Sequence, residues 1–141
     1  MYSIEPFVGP LPLRFGMTPG EVAALIGDAD HVFTDPVDGI SESRAGLSLG
    51  YDAQHGLLSD AVFSAGGLSF HEVNLFEVDD VINFLRGYDN FPEVAVGMVF
   101  FLGLGLRLSG FHDGDVRQKA IGVCAAGRWD EFTDDFVPYS E

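Results

Sequence analysis

Two apolar helix patterns, separated by a constant step, constrain this chain more than any other feature of its sequence. "PGEVAALIG" begins at Pro19 and "EVDDVINFLRGYD" begins at Glu77. Set the second under the first with an offset of 59, and Val22 falls on Val81, Leu25 on Phe84 and Ile26 on Leu85. The same step carries "GLSLGYD" at Gly46 onto "GLRLSGF" at Gly105, and "AVFSAGG" at Ala61 onto "AIGVCAAG" at Ala120. One offset across a helix and two strands predicts an internal duplication. The 141 residues then form a single domain whose halves span about 1–66 and 67–141.

The first helix is heavily marked. Thr18 is placed to cap it and Glu21 to reach back to Thr18. Pro19 sits at the first helical position, and Met17 and Val22 are spaced as a hydrophobic staple. Gly27 supplies a left-handed stop. In the second helix Val78, Val81, Ile82 and Leu85 fall at helical spacing, with Asp79 or Asp80 at the start and Gly87 at the end. Helices this short are marginal alone, so local signals must define their ends.

Around them the chain reads as strands: "LPLRF", "HVFT", "GLSLGY" and "LLSDAVFSA" in the first half, and "LSFHEVNLF", "VGMVFFLG", "LGLRLSGF" and "KAIGVCAAG" in the second. The tips "DAQHG" and "HDGDVRQ" carry turn chemistry. Alternation puts Leu47 with Leu49, and Leu106 with Leu108, on one face, and leaves the other polar or small. The expected class is α+β: an antiparallel sheet with two short helices on one face, built from two related strand–helix–strands units.

The chain has 22 acidic and 7 basic residues, a formal charge of −15. Such a surface repels nucleic-acid phosphate and anionic membrane and attracts cationic partners. It also serves solubility, a second reason for the same charge. The single cysteine, Cys124, lies in a strand pattern and has no internal disulfide partner. The opening residues lack a basic head and an unbroken apolar run, so no signal peptide is expected. Residues 94–106 are too short to span a bilayer and contain three glycines. Together these features point to a cytoplasmic protein.

No motif spells a reaction. There is no G-x-S-x-G elbow, and the closely spaced glycines of "GLGLRLSG" lie inside an alternating strand and not at a turn entering a helix. His31 and His71 have no second ligand at metal spacing. His112, Asp113 and Asp115 surround a glycine, but the later carboxylate of a calcium loop is missing. No catalytic residue, metal or cofactor is therefore expected.

Two acidic stretches interleaved with aromatics stand out. Residues 27–43 contain Asp28, Asp30, Asp35 and Asp38 around Phe33; residues 128–141 contain Asp130, Glu131, Asp134 and Asp135 beside Trp129. An acidic rim around aromatic anchors suits a basic protein face. His55 and the His112, Asp113, Asp115 group occupy matching hairpin tips, which suit a contact surface.

"PLRFGMTPGEVAALIG" resembles the G-M-T-x-x-E-V-x-x-L-x-G helix signature of small bacterial helix-plus-sheet domains. Among these are the small lipoprotein of the outer-membrane barrel-assembly machine and the tandem-repeat inhibitors of β-lactamases. It also looks like the opening of cytoplasmic immunity proteins of bacterial polymorphic-toxin systems. That last resemblance implies a stoichiometric inhibitor that occludes a cognate, basic toxin such as a nucleic-acid- or nucleotide-directed enzyme. The alternative is a small-ligand-binding α+β domain without catalysis, with Phe100 and Phe101 lining its pocket.

Overall fold

The computed structural model describes residues 2–37, 39–64, 66–111, 119–126 and 136–139. The first helix, α1 (Pro19–Ile26), forms as its signals require. The Glu21 N–H donates to Thr18 Oγ1 at 3.2 Å, and the Thr18 N–H donates to Glu21 Oε1 at 3.0 Å, which completes the capping box. Gly27 ends the helix at φ +86° and ψ 175°: a positive φ, but not the left-handed helical stop expected. Thr18→Ala is expected to cost about 1 kcal/mol, read as a lower urea midpoint with an unchanged m-value.

The second helix, α2 (Val81–Arg86), is shorter, and Asp80 caps it by accepting from the Asn83 N–H. Gly87 ends α2 where expected, with right-handed backbone (φ −67°, ψ −18°). Val22 of α1 and Val81, Ile82 and Leu85 of α2 all enter one apolar cluster with Leu47, Leu49, Leu106 and Leu108. The duplication expects Val22, Leu25 and Ile26 to face inward like Val81, Phe84 and Leu85; Leu25 is instead 50% exposed. An eight-residue helix touches the core along a narrow line through Val22 and the part-buried Ile26, and Leu25 lies off that line.

Antiparallel sheet is the main secondary structure of the described residues. The strands are β1 (Tyr2–Glu5), β2 (Gly9–Leu11), β3 (His31–Asp35), β4 (Gly39–Arg44), β5 (Leu47–Tyr51), β6 (Leu58–Phe63), β7 (Leu68–Phe70), β8 (Val73–Asn74), β9 (Glu93–Ala95), β10 (Met98–Phe101), β11 (Leu106–Ser109), β12 (Ala120–Cys124) and β13 (Val137–Pro138). Nine of them form one sheet in the order β13-β9-β10-β11-β12-β6-β5-β4-β3. A second sheet, β2-β1-β7-β8, was not expected; it is joined by a parallel β1–β7 pair. Tyr2–Glu5 alternates apolar and polar, but over only four residues, the shortest run that signals a strand.

Three other expectations are corrected. "LPLRF" forms strand only at its first residue, because β2 ends at Leu11. "LSFHEVNLF" is not one strand; it folds at His71 and Glu72, both at positive φ, into β7 and β8. The acidic stretch 27–43, in which only "HVFT" is expected to be strand, contributes two strands, β3 and most of β4, paired as a hairpin. The constant step also shifts: Leu47 pairs with Phe63 while Leu106 pairs with Val123, so the outer strands are offset by 59 and the returning strands by 60.

The register explains the core. Leu47, Phe63, Ile121, Leu108 and Val99 are successive cross-strand neighbours from β5 to β10, and all are buried. Leu49, Ala61, Val123, Leu106 and Phe101 form the next row on that face. Within each of these strands successive residues therefore face opposite sides, as the alternation implied. No helix among the described residues is long and apolar enough to cross a membrane.

Candidate protein-docking edge

The hairpin β3–β4 closes the nine-stranded sheet, and β3 has a strand neighbour on one side only among the described residues. Every residue of β3 is exposed. Phe33 is 65% exposed, Val32 58%, and Val37 at the hairpin tip 82%. Asp28, Asp30 and Asp35 are exposed around them. Residues 27–43 contain no Lys or Arg. Apolar side chains flanked by carboxylates, beside open backbone, are what a basic protein segment would need.

Which backbone groups face outward follows from the register. Asp35 pairs with Gly39 and is followed by Pro36, which has no N–H. The closing pair must then be of the hydrogen-bonded type, and alternation makes Phe33–Ser41 and His31–Ser43 the same type. Val32 and Thr34 occupy the intervening pairs, so their N–H and C=O groups point away from β4.

The edge is held from beneath. Glu42, directly across from Val32, is buried and accepts from the Tyr51 hydroxyl at 2.9 Å and from an Arg44 guanidinium N–H at 2.8 Å. Arg44 also donates to the Gly27 carbonyl at 2.8 Å, so one guanidinium joins the hairpin to the C-terminal end of α1. Burial, reinforced by the hydrogen bond to Glu42 and its charge, pushes the Tyr51 phenol well above its ordinary value. It therefore stays a hydrogen-bond donor. At the tip, Asp35 Oδ1 accepts from the Val37 N–H at 2.7 Å. A Cβ on Gly39 would lie 2.3 Å from the Tyr51 carbonyl oxygen, so only glycine admits this approach of the two hairpins.

Of the residues expected at a contact surface, Asp28, Asp30 and Asp35 lie on or next to this edge strand. His55 lies at the exposed β5–β6 tip, its Nδ1 3.7 Å from Asp52 Oδ1. That tip is brought near the edge, since Val37, Tyr51 and Asp52 line one shallow cavity with Ser59 and Asp60. Asp38, His112, Asp113, Asp115, Trp129, Asp130, Glu131, Asp134 and Asp135 lie outside the described residues. His31 is exposed on β3, and His71 stacks on Tyr88 with centroids 4.4 Å apart.

The two phenylalanines considered as pocket walls are packing residues. Phe101 is in the main core, and Phe100 lies on the other face, edge-on to Phe136 at 4.7 Å. Cys124 is buried in β12, as its sequence context implied.

One part-buried ion pair escaped sequence reasoning. Arg107 on β11 reaches across β12 to Asp60 on β6, with guanidinium–carboxylate distances of 2.7 and 2.8 Å. Gly122 lies directly beneath it, where a Cβ would be 2.4 Å from Arg107 Cζ. The face expected to be polar or small thus carries a two-pronged ion pair. Its only sequence trace is an arginine in an alternating strand and a glycine in "AIGVC", which do not identify each other.

Comparison of the chain with protein-family models, curated proteins and solved structures finds no match.

Proposed function

We propose that this protein is a stoichiometric protein inhibitor, a cytoplasmic immunity protein that binds and occludes a basic bacterial toxin and catalyses no reaction itself. The observation that carries this reading is β3: a wholly exposed edge strand with Phe33 and Val32 in the open and Asp28, Asp30 and Asp35 around them. Monomeric proteins ordinarily protect such edges with Lys, Pro or a covering element. Here the strand exposes Val32 and Phe33, and the exposed charges flanking it, Asp28, Asp30 and Asp35, are acidic, which favours a cationic partner over a second acidic copy. The duplication belongs to the same proposal: two related units each supply a helix to one side of a shared sheet, leaving the outermost hairpin of the first unit for binding.

The test is affinity capture from the native cell, followed by assay of the captured protein with and without this chain. A basic enzyme silenced at one-to-one stoichiometry supports the reading; capture of no such protein removes it. With that partner, association should slow as salt rises, since exposed charges are screened beyond about 8–10 Å near physiological ionic strength. Changing Asp28, Asp30 and Asp35 together to Asn is expected to lower the on-rate several-fold and flatten its salt dependence, with a smaller effect on the off-rate. Stopped-flow kinetics at two salt concentrations measure both. A salt-independent on-rate, unchanged by the neutralisation, would assign the charge to solubility.

A further inference from the structure

We infer that the partner is bound by strand addition: an extended, basic segment of the partner pairs with β3 through the outward N–H and C=O groups of Val32 and Thr34 and becomes a tenth strand of the large sheet. This deepens the inhibitor reading and rests on it for the source of the segment. Three features converge on the mode. The backbone of β3 has its pairing groups turned outward at alternate residues, set by the Asp35–Gly39 closure. The strand is held in an extended form from behind, by β4 and by the Glu42–Tyr51–Arg44 network, so an incoming strand meets a formed template and not a loop that must first order. Its side chains lie on both faces, Val32 and Thr34 on one and Phe33 on the other, which offers apolar contact to either face of an added strand.

Charge selects the occupant. Asp28 and Asp30 precede the strand and Asp35 ends it, so carboxylates sit at both ends of the pairing register. A segment with Lys or Arg at its ends and β-branched residues between them satisfies both. A second copy of this chain would bring like charges together at each end, with −15 on each molecule. Peptide-bond pairing is indifferent to the partner's side chains, so affinity comes from the backbone and selection from the terminal charges.

The experiment uses the full chain, labelled with ¹⁵N, and a capped peptide of sequence KVTVTVK as the probe. Binding is expected to slow amide exchange at Val32 and Thr34 while leaving the already paired Phe33 little changed. A peptide N-methylated at alternate residues on its pairing edge keeps the charge and is expected to lose binding. In the protein, Thr34→Pro removes one outward N–H but no bond to β4, and an edge strand with its N–H toward solvent is where proline is tolerated. It is expected to weaken the probe by roughly tenfold with an unchanged far-UV circular dichroism spectrum. The N-methylated peptide gives the same answer without altering the protein.

Absence of probe binding at millimolar concentration, protection confined to other strands, or affinity insensitive to both N-methylation and Thr34→Pro would each overturn strand addition. So would a stable dimer of the free chain that protects the same two amides, because the occupant would then be a second copy. The two levels separate cleanly. If the Thr34→Pro chain silences a captured toxin as well as the native chain does, strand addition fails and the inhibitor reading stands. If the probe docks on β3 but no toxin is captured, the inhibitor reading fails and the pairing mode stands.

Discussion

Replacing Arg107 with Ala is expected to destabilise the protein by about 1–3 kcal/mol, the cost of leaving a part-buried carboxylate without its charge-assisted hydrogen bonds. The Asp60 carboxylate, its side chain 15% exposed, would lose both guanidinium bonds. Gly122→Ala should act through the same pair, because the added Cβ occupies the position over which the guanidinium lies. Arg107 could move aside only by releasing Asp60, so the glycine change should cost a similar amount although it removes no polar group. The two changes are therefore expected to be non-additive: once Arg107 is alanine, Gly122→Ala should add little. Urea denaturation of the two single variants, the double variant and the native chain tests this, and additive costs would show that Gly122 matters for another reason.

Leu85→Ala is expected to cost about 2–5 kcal/mol, in the range for emptying a packed leucine site. Leu85 is fully buried and belongs to the cluster that includes both helices and the inner face of the large sheet. Leu25→Ala, at a half-exposed position, should change the urea midpoint far less. The contrast matters because the repeat alignment places Leu25 on Phe84, one residue before Leu85. A large loss at Leu25 and a small one at Leu85 would mean that α1, not α2, is the better anchored helix.

Both expectations show which kinds of interaction are legible in a one-dimensional pattern. The capping box of α1 is made by residues three apart, so Thr18 and Glu21 announce it unaided. Leu47 with Leu49 and Leu106 with Leu108 declare their buried face because side chains in a strand alternate. Leu25 belongs to the apolar pattern of α1 yet is half exposed, because helical spacing marks a stripe but not its width, and an eight-residue helix at the margin of a core buries only part of that stripe. The acidic stretch 27–43 was singled out from its composition, yet its form as a hairpin depends on Gly39 lying against the backbone of Tyr51, which has no local signature.

The sequence by itself determined the elements whose causes lie within a few residues: the start of α1, the alternation of the central strands, the acidic charge and the aromatic interruption at Phe33. Tertiary structure alone decided which strand became the open edge, because strand order is set by pairing between segments far apart in the chain. β6 meets β12 at the middle of the large sheet and thereby sends β3 to its rim. It also decided that Arg107 is paired, since Asp60 lies on a strand two places away and 47 residues earlier. Local chemistry specifies elements, whereas edges and buried charges are properties of neighbours, and neighbours exist only once the chain has folded.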